Sequence, residues 1–120
     1  MIRLTCAVAI CCVASVAHTQ DATRGEKYFE DCASCHTLAR GENGVGPSLF
    51  GVFGRKAGTL DDYRYSPALK RSGIVWSPQT LDNFIADPQK AVPTNRMPYA
   101  GMTNASERAD LIAYLQKMSK

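Results

Sequence analysis

Residues 32–36 read Cys-Ala-Ser-Cys-His, and this short string constrains the fold more than any other feature of the chain. Two thiols three positions apart, followed at once by a histidine, have the spacing of covalent haem attachment. In that arrangement the thiols reach the two vinyl groups on one edge of a porphyrin, and the histidine is carried beneath the iron. The string therefore predicts one haem c bound through Cys32 and Cys35, with His36 as an iron ligand.

The same two thiols have two other uses. A C-x-x-C pair also occurs as a redox dithiol or as half of a zinc site. A thioredoxin-like dithiol is expected beside a βαβ pattern, and the sequence shows no sustained strand alternation. A zinc site needs two further ligands, for which the chain offers His18 and carboxylates. Haem attachment is the favoured interpretation because it also accounts for His36.

Residues 1–17 have the composition of a secretory signal peptide. Arg3 supplies a positive start, and residues 4–16 are almost all apolar or small and carry no charge. Small residues, Ser15 and Ala17, stand at the positions that a signal peptidase reads. The sequence therefore predicts export to the periplasm with removal of residues 1–17.

A retained membrane anchor is the alternative for this segment. The apolar run is shorter than the roughly 20 residues that a spanning helix needs, and Cys11 and Cys12 lack the small-residue pattern of a lipoprotein. We expect residues 18–120 to form a single small domain with no membrane span. A domain of this size has a marginal core, to which a large apolar cofactor would add buried surface.

Four segments carry helix start signals, in which a capping side chain precedes a helix-forming turn. These segments begin at Thr23, Ser66, Ser77 and Asn104. Met118 continues the apolar stripe of the last segment, which predicts that it lies in the core. Glycine and proline mark residues 41–58 and 90–102 as long loops. The predicted fold class is all-α, with three to five helices and long loops wrapped around one haem.

An iron held by one histidine needs a second axial ligand or keeps an open site, and methionine is a known partner of histidine in this role. Met97 lies in a proline-flanked loop, which can present a side chain rigidly without a helix. Met102 follows five residues later, beside Gly101, and is the competitor. The residues alone favour Met97 and leave Met102 and an open site as alternatives.

Several strings, in this order and spacing, resemble the class I cytochromes c of the mitochondrial and bacterial c2 type. They are Cys-Ala-Ser-Cys-His-Thr at 32–37, Gly-Pro-Ser-Leu-Phe-Gly-Val-Phe-Gly-Arg-Lys-Ala-Gly at 46–58, Gly-Ile-Val-Trp at 73–76, Arg-Met-Pro-Tyr-Ala-Gly at 96–101 and Glu-Arg-Ala-Asp-Leu-Ile-Ala-Tyr-Leu at 107–115. The resemblance implies the class I cytochrome c fold, Met97 as the sulfur ligand, and a soluble monohaem electron carrier that is not an enzyme.

The resemblance also implies roles for side chains outside the ligand set. Tyr65 and Trp76 would donate hydrogen bonds to a buried haem propionate, and Arg55 would stabilise its charge. The Pro47 carbonyl would orient the imidazole of His36. Two contacts would join the first and last helices, with Gly25 and Phe29 on one side and Leu111 and Tyr114 on the other.

Two positions depart from the family pattern. Phe84 stands where members often carry a tyrosine whose hydroxyl bonds the methionine sulfur, so that hydrogen bond is lost and the pocket is more apolar. Asn95 stands where a threonine often contacts a propionate, and its carboxamide retains a donor for the same contact. An apolar pocket disfavours oxidised iron, whereas a missing hydrogen bond strengthens donation by sulfur, so the sequence leaves the reduction potential open.

The charge pattern fits docking to acidic redox proteins. The formal net charge of +3 is mildly basic, and no basic run with interleaved aromatic residues indicates nucleic acid. Six cations are candidates for a ring around the haem edge: Lys27, Lys56, Lys70, Arg71, Lys90 and Arg96. The expected partners of this monomer are membrane or periplasmic redox proteins, namely a bc1-type reductase, a terminal oxidase, a reaction centre or a dehydrogenase. The rival functions are peroxide reduction and a sensing or structural haem module.

Overall fold

The computed structural model describes Cys12, Ala14 and residues 19–120. The predicted signal peptide therefore lies almost entirely outside the described residues, and its cleavage stays a prediction. The described chain forms five helices and no strand, which confirms the all-α fold class. The helices are α1 (Ala22–Ala33), α2 (Pro67–Arg71), α3 (Pro78–Ala86), α4 (Pro88–Ala91) and α5 (Ala105–Met118). Within these same residues, no helix has the length and apolar character that a membrane crossing requires.

Side-chain caps begin the helices, as the sequence predicts, with one correction at α1. The Ser66 hydroxyl caps α2 and the Asn104 carboxamide caps α5. The predicted start of α1 at Thr23 is wrong because the Asp21 carboxylate lies just upstream and accepts from the amides of Thr23 and Arg24. A carboxylate at this position also interacts favourably with the positive end of the helix dipole.

The helix α4 is not predicted by the sequence, in which proline and glycine indicate loop from residue 90 to residue 102. The Asp87-Pro88 pair ends α3, but the same pair begins a new helical turn. The Asp87 carboxylate accepts from the Lys90 amide at 3.1 Å, and Pro88 occupies the first turn, where its missing N–H is no loss. One dipeptide therefore both terminates a helix and starts the next.

The first and last helices cross at Gly25. A Cβ atom on this residue would lie 2.8 Å from Tyr114 Cβ and closer still to the carbonyl group of Asp110, so only glycine lets the two backbones approach this closely. The rings of Phe29 and Tyr114 contact each other with centroids 5.4 Å apart, and Leu111 is fully buried in the same core. The predicted contacts between these helices are confirmed.

Met118 does not lie in the core, so that prediction is wrong. The residue is 44% exposed, whereas Leu111, Ile112 and Leu115 form the buried side of α5. The helix ends at Met118, and the next residue, Ser119, takes the buried position. The apolar stripe of α5 therefore continues to Met118, but the rest of the protein covers it only as far as Leu115.

The capping box at the start of α3 gives a testable stability prediction. The Ser77 hydroxyl accepts from the Thr80 amide at 3.1 Å, and the Thr80 hydroxyl accepts from the Ser77 amide at 2.8 Å. We expect Ser77→Ala to lower the free energy of unfolding by about 1 kcal/mol in urea denaturation. Ser77→Asp retains an acceptor and should lose much less, so equal losses in the two variants would contradict this role.

Candidate functional site

A cavity of about 250 Å³ lies between α1, α3, α5 and the loops that join them. Its walls are mainly apolar and include Leu49, Val52, Leu69, Leu81, Phe84, Ile85, Leu111 and Leu115. The structure brings together at this cavity all of the site residues predicted from the sequence. These residues are Cys32, Cys35, His36, Arg55, Tyr65, Trp76 and Met97.

The two cysteines lie at the end of α1, where the chain turns tightly. The amides of Cys35 and His36 both donate to the carbonyl of Cys32, at 3.1 and 2.9 Å. The two cysteines form no disulfide with each other, and burial raises the pKa of the Cys32 thiol to about 11, with the charge of Asp31 as a lesser cause. A reactive dithiol needs a lowered thiol pKa, so the raised pKa of Cys32 disfavours that alternative.

The zinc alternative also lacks support. Across the described residues, no group of three or more histidine, cysteine or acidic side chains is arranged to hold a metal ion. A structural zinc site needs four such ligands. His18, which the sequence offers as a further ligand, lies outside the described residues.

The imidazole of His36 is oriented by the chain that follows it. Its Nδ1 lies 2.7 Å from the carbonyl oxygen of Pro47, and because a carbonyl can only accept, Nδ1 carries the proton. Burial lowers the pKa of His36, and the Pro47 hydrogen bond opposes this shift only in part. The ring is therefore neutral, with the Nε2 lone pair free to bind a metal.

Gly46 packs directly against this ring, which the sequence alone does not indicate. A Cβ on Gly46 would lie 2.7 Å from Nδ1 and 2.9 Å from Nε2 of His36. The Gly46 amide also donates to the Cys35 carbonyl at 2.9 Å, which ties the glycine loop to the cysteine turn. The glycine thus makes room for the imidazole on the side that the loop covers.

The two candidate methionines are separated by their positions. Met97 is partly buried and lines the cavity. Met102 is 9% exposed, belongs to the core cluster and is absent from the cavity walls, and its amide donates to the Ile85 carbonyl at 2.9 Å. Of these two, only Met97 is placed to meet a group bound beside His36.

Asn95 does not have the free donor that we expected for a propionate. Its side chain is buried, and Nδ2 donates to the carbonyls of Pro88 and Val92 at 2.8 and 2.9 Å. Its Oδ1 accepts from the Met97 amide at 2.8 Å. Both amide protons and the carbonyl oxygen therefore already have backbone partners, and no unused donor is left on this side chain for a propionate.

Arg55, Tyr65 and Trp76 suit an anionic group in the cavity. Arg55 donates to the carbonyls of Phe50 and Ser48, and no carboxylate in the described part of the chain forms an ion pair with it. Burial raises the pKa of Tyr65, so its hydroxyl stays protonated and able to donate.

The indole N–H of Trp76 is the most direct indication of a missing partner. Trp76 is only 8% exposed, yet no described protein atom accepts a hydrogen bond from its nitrogen. Every fully sealed side-chain nitrogen or oxygen among the described residues has a partner, so this nitrogen reaches accessible space. Buried indole groups normally find an acceptor. A haem propionate would provide one, and the residues present therefore fit a haem.

The structure gathers only part of the predicted basic ring. Lys70, Arg71 and Arg96 line one open groove next to the cavity, and Tyr65 lines both. Arg64 lies in the same groove but is not predicted. Asp61 and Asp62 precede it closely, so this stretch of the sequence does not read as basic. The other three candidates line neither space: Lys27, Lys56 and Lys90.

Comparison with known proteins agrees with this geometry. The Cytochrome c family model matches residues 22–119. The chain belongs to the cytochrome c family. It is 46% identical to cytochrome c2 iso-2 of Magnetospirillum fulvum over 90 residues, which cover 75% of this chain and 94% of that protein. It is also 46% identical to cytochrome c2 of Rhodopila globiformis over 99 residues, covering 82% of this chain and 93% of that protein.

The fold agrees with that of a solved member of the cytochrome c family. The structure of cytochrome cH from Methylobacterium extorquens superposes with a TM-score of 0.76 and 45% sequence identity, covering 81% of this chain and 98% of that chain. Membership of the family establishes the cofactor and the general activity. This cytochrome c binds haem c covalently through Cys32 and Cys35, and it is a monohaem electron carrier and not an enzyme.

Proposed function

We propose that this protein is a soluble, exported carrier of single electrons in which His36 and Met97 would hold the haem iron. One observation carries the proposal. His36 and Met97 line the same apolar cavity as the cysteine pair, whereas Met102 does not. Cycling between ferric and ferrous iron is the chemistry that haem supplies when it is bound.

The two ligand side chains are held by different means. The Pro47 carbonyl fixes the tautomer and orientation of His36, as outer hydrogen bonds commonly do for metal-bound histidines. Met97 is presented by a loop rather than by a helix. If both side chains bound the iron, they would exclude oxygen and peroxide from it, which favours electron transfer over peroxide reduction.

Three further side chains would hold the anionic end of the haem. Arg55 supplies a partly buried positive charge, while Tyr65 and Trp76 supply hydrogen-bond donors at the cavity. These groups offset the free energy that an unpaired buried carboxylate would otherwise cost. Phe84 packs edge-on against Trp76 with ring centroids 5.2 Å apart and provides no hydroxyl for the sulfur of Met97.

The proposed partners are periplasmic or membrane redox proteins with acidic surfaces: a bc1-type reductase, a terminal oxidase, a reaction centre or a dehydrogenase. Support comes from the kinship with bacterial cytochromes c2 and from residues 1–17. Four cations, Arg64, Lys70, Arg71 and Arg96, outnumber the two carboxylates of Asp61 and Asp62 in the groove beside the cavity, so this face carries a positive balance. A monomer that docks by charge would associate rapidly and release its partner readily.

The ligation of Met97 is tested by replacement. We expect Met97→Leu to abolish the weak near-infrared band that reports sulfur bound to ferric iron, and to lower the reduction potential, because methionine paired with histidine raises it. The measurement is an optical spectrum of the purified ferric protein together with a redox titration.

Met102→Leu is the matched control. Its side chain lies in the core, so the variant should keep both the band and the potential while losing about 1 kcal/mol of stability or less. A band that survives in Met97→Leu, or rapid peroxide turnover by the intact ferric protein, would refute the proposal.

A further inference from the structure

We infer that Asn95 and Gln89 are positioning residues for Met97, and that their two carboxamides, here called the clamp, set where the thioether lies. This inference rests on the proposed function, because it takes Met97 to be the iron ligand. In this inference Asn95 acts on the backbone of Met97 and not on a haem propionate.

Asn95 connects Met97 to the helix before it. Its Oδ1 accepts from the Met97 amide at 2.8 Å, and its Nδ2 donates to the carbonyls of Pro88 and Val92. In the part of the chain that the structure describes, the Met97 amide has no other acceptor. The buried Asn95 side chain therefore fixes the position of the Met97 backbone amide.

Gln89 forms hydrogen bonds with the backbone of Thr94 and Asn95, just before Met97. Its Oε1 accepts from the Thr94 amide at 3.1 Å, and its Nε2 donates to the Asn95 carbonyl at 2.9 Å. The carboxamide thus bonds the backbone on both sides of the peptide that joins Thr94 to Asn95. Because Gln89 lies in α4, both amide side chains fasten the methionine loop to the same short helix.

The clamp acts on a strained residue. Thr94 has φ = 67°, and it is the one non-glycine residue of the described chain with a positive φ. A β-branched side chain in the left-handed region is strained and persists only where surrounding contacts determine it. The bonds made by Gln89 provide those contacts. Without them, Thr94 relaxes toward ordinary backbone angles and displaces the loop that carries Met97.

Loss of the clamp should therefore weaken the binding of Met97 to the iron more than it weakens the fold. We propose to measure this effect with imidazole. Imidazole competes with the methionine for ferric iron, so its apparent affinity rises when the native loop is held less well. We expect Asn95→Leu, which removes three hydrogen bonds at similar volume, to bind imidazole about tenfold more tightly than the wild type. Gln89→Leu should bind it about threefold more tightly.

Asn104→Ala is the matched control. It removes a carboxamide that caps α5 by accepting from the amides of Ser106 and Glu107 and that makes none of the hydrogen bonds of the clamp. It therefore lowers overall stability while leaving the clamp intact, and its imidazole affinity should stay within about twofold of the wild type. Gln89 is exposed, so Gln89→Leu keeps the test decisive even if Asn95→Leu folds poorly.

The outcomes separate the inference from the proposed function. If Asn95→Leu and Gln89→Leu bind imidazole no more tightly than Asn104→Ala, the positioning role is overturned while Met97 ligation stands. If Met97→Leu retains the near-infrared band, the ligand assignment fails, and the positioning role fails with it. Tighter imidazole binding in both clamp variants, in a protein whose band depends on Met97, supports both.

Discussion

Gly25→Val is expected to prevent formation of the native state. The new side chain would meet the carbonyl group of Asp110 and the Cβ of Tyr114, and neither can move without shifting α5 as a whole. Forcing the helices apart exposes the core around Phe29 and Leu111. We expect a loss of at least about 4 kcal/mol in the free energy of unfolding, measured by urea denaturation with far-ultraviolet circular dichroism. Such a loss approaches the total stability of a small domain.

The matched control for this variant places the same side chain at an exposed position of α1. Glu26 is exposed and adjacent to Gly25, so Glu26→Val changes helix propensity without changing the crossing. Its expected loss is only a few tenths of a kcal/mol, about 0.5 kcal/mol at most. Similar losses at the two positions would show that close approach of the helices is not what requires glycine at position 25.

Gly46→Val is expected to dislodge the imidazole of His36. The added Cβ would lie within 3 Å of both ring nitrogens, which breaks the bond to Pro47 and obstructs Nε2. Disturbing the groups that orient a metal ligand typically weakens metal binding by about 10- to 100-fold. We expect most of the purified ferric protein to lack the low-spin spectrum of a six-coordinate haem, while Cys32 and Cys35 still retain the pigment on denaturing electrophoresis.

Gly41→Ala controls for glycine replacement in the same loop. Gly41 has φ = 71°, and no atom lies within 4 Å of the position that an added methyl group would take, so the variant carries backbone strain without a clash. We expect about 1 kcal/mol of destabilisation and an unchanged spectrum. A wild-type spectrum in Gly46→Val would mean that the ring can shift and still bind the iron.

The sequence is most informative where chemistry imposes a fixed spacing. The string from Cys32 to His36 predicts the cofactor, and the proline-flanked position of Met97 distinguishes it from Met102 on local grounds alone. Helix starts marked by serine before proline are also correct, because a hydroxyl acceptor and a proline in the first turn act locally. Such signals need no knowledge of what the segment packs against.

The features that the sequence does not reveal depend on tertiary contacts. Met118 reads as part of an apolar stripe, but whether a stripe is covered depends on where its neighbours end. Asn95 reads as a propionate donor, because nothing local shows that Pro88 and Val92 offer carbonyls to both of its amide protons. The packing of Gly46 on His36 likewise exists only once the loop has closed over the ring.

The crossing of α1 and α5 has a consequence for how the chain folds. The amide of Asp21 donates to the buried carboxylate of Asp110, which lies 89 residues further along the sequence. The helix α1 and its partner α5 lie at opposite ends of the described chain, so removal of either end separates Phe29 from Leu111 in the core. Forming the α1–α5 contacts therefore closes a loop of nearly the whole described chain, and the conformational entropy lost in that closure opposes them until the rest of the core is in place.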